Sequence, residues 1–350
     1  MTNPPSILRD ACLVVAEIAQ AHDGSLGTAH ALIDAAAEAG ADAVKFQTHI
    51  ASEESTSREP WRVKFSRQDA TRYDYWKRME FTKEQWRGLK AHAEERGLIF
   101  FSSPFSPLAV DWLEELGVPF WKVASGEIAN KPLIDRMLRT GKPMLVSTGM
   151  CTLEELDACV GRIREAGGEV VVFQCTSEYP CPPERVGLNL LSFYRERYGC
   201  PVGLSDHSGE IYPGLAAAWL GASMIEVHLT LSKRAFGPDV PASLTPERLR
   251  QLAEGVKFMR RMRDSPVDKE TAAGRFGDLR AIFYRSLVAR SDLKAGTVLT
   301  EDMIAVKKPG GGLSPNRLGE LIGKRLRRSV PADHPFGESD FAAEEEGDGR

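Results

Sequence analysis

ADAVKFQT, residues 41–48, is an apolar run interrupted by Lys45 and Gln47 near its end, and the same form recurs along the chain. LVVAEIA (13–19) carries Glu17, and PFWKVAS (119–125) carries Lys122 with Glu127 just beyond. PVGLSD (201–206) ends in Asp206 before His207, and SMIEVHLT (223–230) holds Glu226 and His228. Short apolar runs of this kind read as buried parallel strands, where an ionisable group is costly unless it is paired, bound to metal or working. A set that recurs at nearly every strand describes the rim of an α/β barrel, the end at which that fold builds its sites.

Working outward, LIFFSS (98–103), PMLVST (143–148) and EVVVFQCT (169–176) complete eight strands. Segments of helical period lie between them, among them ALIDAAAEAG (31–40), PLAVDWLEELG (107–117) and TLEELDACVGRIREAGG (152–168). Many of these end in Gly, as a left-handed cap before the next strand requires. Eight alternations in about 265 residues match a (β/α)8 TIM barrel better than an open doubly wound sheet, and no GxGxxG follows the first strand. A polar and aromatic insertion runs from the second strand to about Met79 and reads either as a lid or as a surface hairpin.

The expected organisation is a barrel over residues 1–264 and a polar linker over 265–280. A small β-rich domain over 281–341 and an acidic tail over 342–350 follow. At 350 residues, 42% hydrophobic and 27% charged, the chain has room for those two domains. A formal charge of −4 provides no strong field for nucleic acid or membrane, so an anionic ligand must be held by local cations. The start of the chain, with Arg9 and Asp10 before a short apolar stretch, lacks the form of a secretory signal, and no run reaches membrane-spanning length. Six cysteines without CxxC spacing read as reduced packing residues, and the expected location is cytoplasmic.

Lys45 and Gln47 lie two apart, so the strand period points both to one side, taken as the barrel mouth. With Lys122 they make an anion site; the alternative is lysines paired with core carboxylates for structure alone. Ser102, Ser103, Ser147, Thr148, Thr176 and Ser205 end strands and add hydroxyls for phosphate or carboxylate oxygens. His207 and His228 fall on adjacent strands, and with Glu226, Asp206 or Asp239 nearby they suit a divalent metal. Glu17 at the mouth reads as a sugar ligand or proton carrier. His22 and Asp23 read as part of that site or as a turn and helix cap. Tyr179 reads as a polyol contact or as loop packing.

In order along the chain, AEI, HDGS, GADAVKFQT, FSSPFS, WKVASGE, LVSTGM, QCTSEYPCPP, GLSDHSG, EVHLT and FGPDVPAS resemble the phosphoenolpyruvate-dependent sialic acid (N-acetylneuraminate) synthases and related nonulosonic acid synthases. The resemblance runs from Leu13 to Phe341, and the C-terminal segment is similar to an antifreeze-like (SAF) domain. It implies condensation of phosphoenolpyruvate with an open-chain aldose to a 2-keto-3-deoxy acid and phosphate. Lys45, Lys122, Ser103, Ser125, Ser147, Ser177 and Ser205 would then hold the carboxylate and phosphate, with Gln47 beside them. His207 and His228 would bind a divalent metal, manganese first, with magnesium or cobalt as alternatives. Glu127 would handle the proton of the attacking water, while Glu17, Tyr179 and Asp239 would hold the sugar. The cap is expected to act on its partner's barrel in a domain-swapped homodimer. Lys308 stands where the family has an Arg that contacts the acyl group, Ala21 to Gly24 replace NHNG, and Ser177 replaces an Asn. Lysine lacks the planar fork of arginine, which puts N-acetyl recognition in question. Alternatives are condensation with a phosphorylated aldose, as in synthases of Kdo 8-phosphate or DAHP, and a non-catalytic carbohydrate-binding protein.

Overall fold

The computed structural model describes residues 12–342, so the Arg9-Asp10 pair and the acidic tail beyond Ala342 lie outside the described residues. The chain divides after Ser265 into two compact units.

In the first unit, β1 (Leu13–Glu17), α1 (Leu26–Glu38) and β2 (Ala43–Thr48) lead into the insertion, which holds α2 (Ala51–Glu54) and α3 (Arg72–Met79). The alternation continues with α4 (Lys83–Glu95), β3 (Ile99–Pro104), α5 (Pro107–Leu116), β4 (Trp121–Val123), α6 (Lys131–Leu138), β5 (Met144–Ser147) and α7 (Leu153–Glu165). It closes with β6 (Val170–Cys175), α8 (Asn189–Tyr198), β7 (Val202–Asp206), α9 (Tyr212–Trp219), β8 (Met224–Leu229), the short β9 (Ser243–Leu244) and α10 (Pro246–Arg263). Polar residues start the helices: Thr82 and Thr152 form reciprocal capping boxes with Gln85 and Glu155.

The strands pair in parallel in the order β3-β2-β1-β8-β7-β6-β5-β4, and β9 extends β8 in parallel register. At the seam Phe101 of β3 meets Phe120, just before β4, edge to face at 4.7 Å. This is a nearly closed eight-stranded TIM-like barrel. Strand alternation sorts the side chains into two cores. Val14, Ala16, Val44, Phe46, Val146 and Val172 face the helices. Leu13, Val15, Ala43, Phe101, Phe120, Leu145, Val171, Phe173 and Met224 fill the barrel interior. Gly203 is inward too, and a Cβ there would lie 2.7 Å from the Phe173 ring. The barrel is plugged below and open above.

The insertion contains two helices and no strand among the described residues, so it is not a hairpin. Its residues Tyr75, Trp76 and Met79 bury a small core of their own with Ala51. The segment read as a polar linker instead holds two exposed helices, α11 (Lys269–Gly274) and α12 (Gly277–Phe283), with Asp268 capping the first. Short periodicity hid them, since neither buries an apolar face. The second unit pairs β10 (Ser286–Ala289) with β11 (Ile304–Lys307) in antiparallel register and adds the one-turn helix α13 (Leu318–Leu321). Its core gathers Leu287, Leu299, Ile304, Leu326, Val330 and Phe336. All six cysteines are free thiols, and no helix among the described residues is long and apolar enough to cross a membrane.

Candidate active site

Two residues above the last apolar inward side chain, each of the eight strands or its extension presents one polar or sulfur-bearing side chain. These are Glu17, Lys45, Ser103, Lys122, Ser147, Cys175, Ser205 and Glu226, all buried. The ring follows from strand register: Glu17 lies opposite both Lys45 and His228, and Ser205 opposite Glu226. Lys122 Nζ contacts Glu226 Oε2 at 2.6 Å and donates to Ser205 Oγ at 3.0 Å. Lys45 Nζ lies 2.9 Å from Glu17 and 3.5 Å from Glu226, and donates to Ser103 Oγ at 3.4 Å. Glu17 Oε2 is close to Lys45 without hydrogen-bond alignment, so that contact is Coulombic and leaves the oxygen undonated.

Burial works against both lysines, and their partners decide the outcome. Lys45, between two carboxylates, is held above the ordinary lysine value despite burial. Lys122 falls below it, because burial and the nearby Lys45 outweigh its pairing with Glu226. Glu226, against the effect of burial, is pushed down to about 2 by the two ammonium groups. Glu226, expected near the histidines, interacts with them electrostatically and also bridges the two lysines. The lysines are thus paired with core carboxylates, yet they line an open cavity of about 630 Å³.

On the same wall, His207 donates from Nδ1 to the Thr176 carbonyl at 2.7 Å, leaving Nε2 to accept from Tyr179 Oη at 3.0 Å. Tyr179 stacks on that ring at 4.0 Å between centroids, which joins it to the site. Burial first and His228 second push the His207 pKa down to about 3, so the ring is neutral. The His207 and His228 rings are 5.2 Å apart, and His228 Nδ1 lies 4.0 Å from Asp239. Asp206 belongs elsewhere: its parity turns it outward, where it accepts from Ser208 Oγ at 2.7 Å and from the Ser208 backbone N–H at 3.2 Å. No three His, Cys, Asp or Glu side chains converge as a metal cage among the described residues. Two imidazoles, one of them neutral and tautomerically fixed by a carbonyl, fit a divalent ion that takes its remaining ligands from water or substrate.

Ser125, in a 3-10 turn after β4, accepts the Gly149 N–H at 3.0 Å. A Cβ on Gly149 would lie 2.4 Å from Ser177 Oγ and 2.9 Å from Ser125 Oγ, so the glycine lets the two hydroxyls converge. Glu127, on that turn, accepts from Asn130 at 2.6 Å, and burial raises its pKa above the usual glutamate value. Gln47 donates to Glu17 at 2.8 Å.

The insertion lines the mouth with Trp61, Arg62, Phe65, Tyr75 and Trp76. Arg62 bonds Asp239 at 2.6 Å and lies 4.3 Å over the Tyr179 ring. His49, Glu54, Gln20 and Arg62 line the cavity without having been expected there. His49 alone carried a signal, two residues beyond Gln47 on the same strand parity. Lys308 belongs to the second unit, where its Nζ lies 5.0 Å from the Phe283 ring.

Residues 32–267 match the NeuB family model, and residues 284–342 match the SAF domain model. The N,N'-diacetyllegionaminic acid synthase of Campylobacter jejuni is 32% identical over 92% of this chain and 97% of its own. The N-acetylneuraminate-9-phosphate synthase of Homo sapiens is 34% identical over 92% of this chain and 90% of its own. The structure is similar to that of the N-acetylneuraminic acid synthetase of Leptospira borgpetersenii, with a TM-score of 0.67 and 26% identity, covering 77% of this chain and 92% of that one. The chain therefore belongs to the NeuB family of nonulosonic acid synthases and carries a C-terminal SAF domain.

Proposed function

We propose that the protein condenses phosphoenolpyruvate with an open-chain aldose, N-acetylmannosamine or a related hexose derivative, to give a 2-keto-3-deoxy nonulosonic acid and phosphate. The observation that carries this reading is the ring of inward polar residues, which sets two buried lysines and two buried imidazoles in one cavity. Lys45 and Lys122, with Ser103, Ser147 and Ser205, would bind the carboxylate end, and Ser125 and Ser177 the phosphate. Glu17, Gln47, Tyr179 and Asp239 would orient the aldose. The enol C3 attacks the aldehyde carbon, forming the C–C bond while the carbonyl oxygen takes up a proton. Water then adds at C2 and gives its proton to Glu127, a carboxylate made a stronger base by the burial that raises its pKa above the usual glutamate value. Cleavage of the C2–O bond, with the C2 hydroxyl proton passing to the departing phosphate, leaves the ketone, and the proton held by Glu127 balances the one taken up by the aldehyde oxygen. A divalent ion held by His207 and His228, manganese first and magnesium or cobalt as alternatives, would supply Lewis-acid polarisation of the aldehyde oxygen.

An unphosphorylated aldose fits the mouth better than a phosphorylated one. Glu53, Glu54 and Glu59 line it, and its two arginines are occupied, Arg62 by Asp239 and Arg72 by Glu59 at 3.1 Å. We assign the second unit the role of a cap that acts in trans in a homodimer, bringing Lys308 to the acyl side of the sugar. The test is phosphate release from phosphoenolpyruvate and manganese with N-acetylmannosamine, mannose, diacetamido-trideoxyhexoses and phosphorylated aldoses in turn. Turnover with an unphosphorylated hexose, silenced reversibly by chelator, is expected. Turnover confined to phosphorylated aldoses would overturn the substrate assignment, and no release with any of them would overturn the reaction.

A further inference from the structure

We propose that Glu54, held in place by His49, forms a subsite that accepts a hydroxyl or amide N–H from the far end of an extended polyol chain. The inference rests on the aldose reading above and adds the part of the cavity that would measure the sugar's length. Glu54 ends α2, its side chain is only 8% exposed, and one carboxylate oxygen accepts from His49 Nδ1 at 2.6 Å. The other oxygen, Oε2, is buried and has no hydrogen-bond partner. A buried acceptor left empty is expensive, and native structures leave few of them; Glu54 is among the residues that line the cavity, where a ligand can supply the missing donor.

The His49 ring is fixed on both faces, stacked on Trp76 at 4.1 Å and on Phe105 at 4.6 Å. Its Nε2 lies 3.4 Å from Gln20 Nε2 and 3.2 Å from Gln47 Oε1, and Gln47 in turn donates to Glu17. Polar contacts therefore run without a break from Lys45 through Glu17, Gln47 and His49 to Glu54. Lys45, Gln47 and His49 share one parity of β2 and its extension, so each step climbs by roughly 6–7 Å toward the mouth. Glu54 stands at the top of that ladder. A polyol whose near end is held beside the phosphoenolpyruvate by Glu17 reaches it only when its chain is long. The ligand class is a neutral polyhydroxylated or acylamino chain, since a second anion would meet Glu54, Glu53 and Glu59.

Calorimetry on the full chain saturated with phosphoenolpyruvate tests this with mannitol, arabinitol and glycerol, which have no carbonyl and do not react. Wild-type affinity should rise with chain length. Glu54→Gln should weaken mannitol by about 10- to 100-fold, the loss of a charge-assisted hydrogen bond, while the affinity for glycerol and for phosphoenolpyruvate stays as it was. His49→Gln should weaken mannitol less. Mannitol binding no tighter than glycerol in the wild type would overturn the subsite even if the variants failed to fold, and so would unchanged mannitol affinity in Glu54→Gln. Length-dependent alditol binding without phosphate release from any aldose would instead sink the condensation reading and leave the subsite standing.

Discussion

Lys122 and Glu226 share a 2.6 Å contact on the largely buried floor of the cavity, so removing Lys122 leaves Glu226 only the longer 3.5 Å pairing with Lys45. Lys122→Met should destabilise the fold by about 3–5 kcal/mol and abolish phosphoenolpyruvate binding. Adding Glu226→Gln should restore most of the stability and none of the binding, because the ammonium group is still missing. Denaturant unfolding and calorimetry on the single and double variants check this; normal affinity in the double variant would remove Lys122 from the anion site. Lys45, Gln47, Lys122, His207 and His228 were legible in the sequence because each is a polar interruption of an apolar run. Asp206 was misplaced by one step of strand parity, since Ser205 and His207 on either side point inward. Glu54 and Arg62 were not legible for another reason. Glu54 and Arg62 sit in an insertion without periodicity, where side-chain direction is set by packing that no local pattern encodes.

At the scale of elements, the turn from β1 into α1 shows how a residue that looks functional serves the fold. His22 Nδ1 accepts the Gly24 N–H at 3.1 Å, and the ring packs on Phe81 at 4.6 Å. Asp23 sits at φ +48°, with Arg78 bonding both its carbonyl and its carboxylate at 2.8 Å, and Ser25 rather than Asp23 caps the helix. Gly24, at φ +76°, leaves no room for a side chain: a Cβ would lie 2.3 Å from the Arg78 carbonyl oxygen. Burial first, then neighbouring His49 and Arg78, push the His22 pKa from 6.5 down to about 3. The unfolded chain therefore binds the extra proton between those values. His22 contributes stability that is complete above pH 6.5 and lost as pH falls toward 3, by up to about 4–5 kcal/mol. His22→Gln should flatten the acid side of the stability profile measured by urea unfolding. An unchanged slope would show that His22 already titrates normally in the folded state.

For the whole molecule, the eightfold alternation made the barrel legible, because each strand repeats the same inward and outward code. The exposed helices α11 and α12 were not, since their polar and glycine-containing segments carry no buried stripe to mark a period. Whether the second unit caps a partner's barrel is open to complementation. On the proposed roles, full-length Lys122→Ala would have a disabled barrel and a sound cap, and a chain ending after Ser265 the reverse. Co-expressed, the two should form mixed dimers that regain activity if caps cross between subunits. Co-purified mixed dimers that stay inactive, beside active wild-type controls, would restrict the cap to its own chain.

The ring inside the barrel is electroneutral, since Lys45 and Lys122 are matched by Glu17 and Glu226. A multiply charged anion that takes over the lysines must displace Glu226, and the chamber would then hold surplus negative charge in a poorly solvated space. Electroneutrality can be recovered by drawing in a proton or a cation. Substrate capture without metal should therefore be proton-coupled, with binding enthalpies that follow the ionisation heat of the buffer and affinity that falls as pH rises. Manganese should diminish both effects, and buffer-independent enthalpies in metal-free protein would refute the coupling. Metal and phosphoenolpyruvate would thus each raise the affinity for the other, making the ion a counter-charge for entry as well as a Lewis acid.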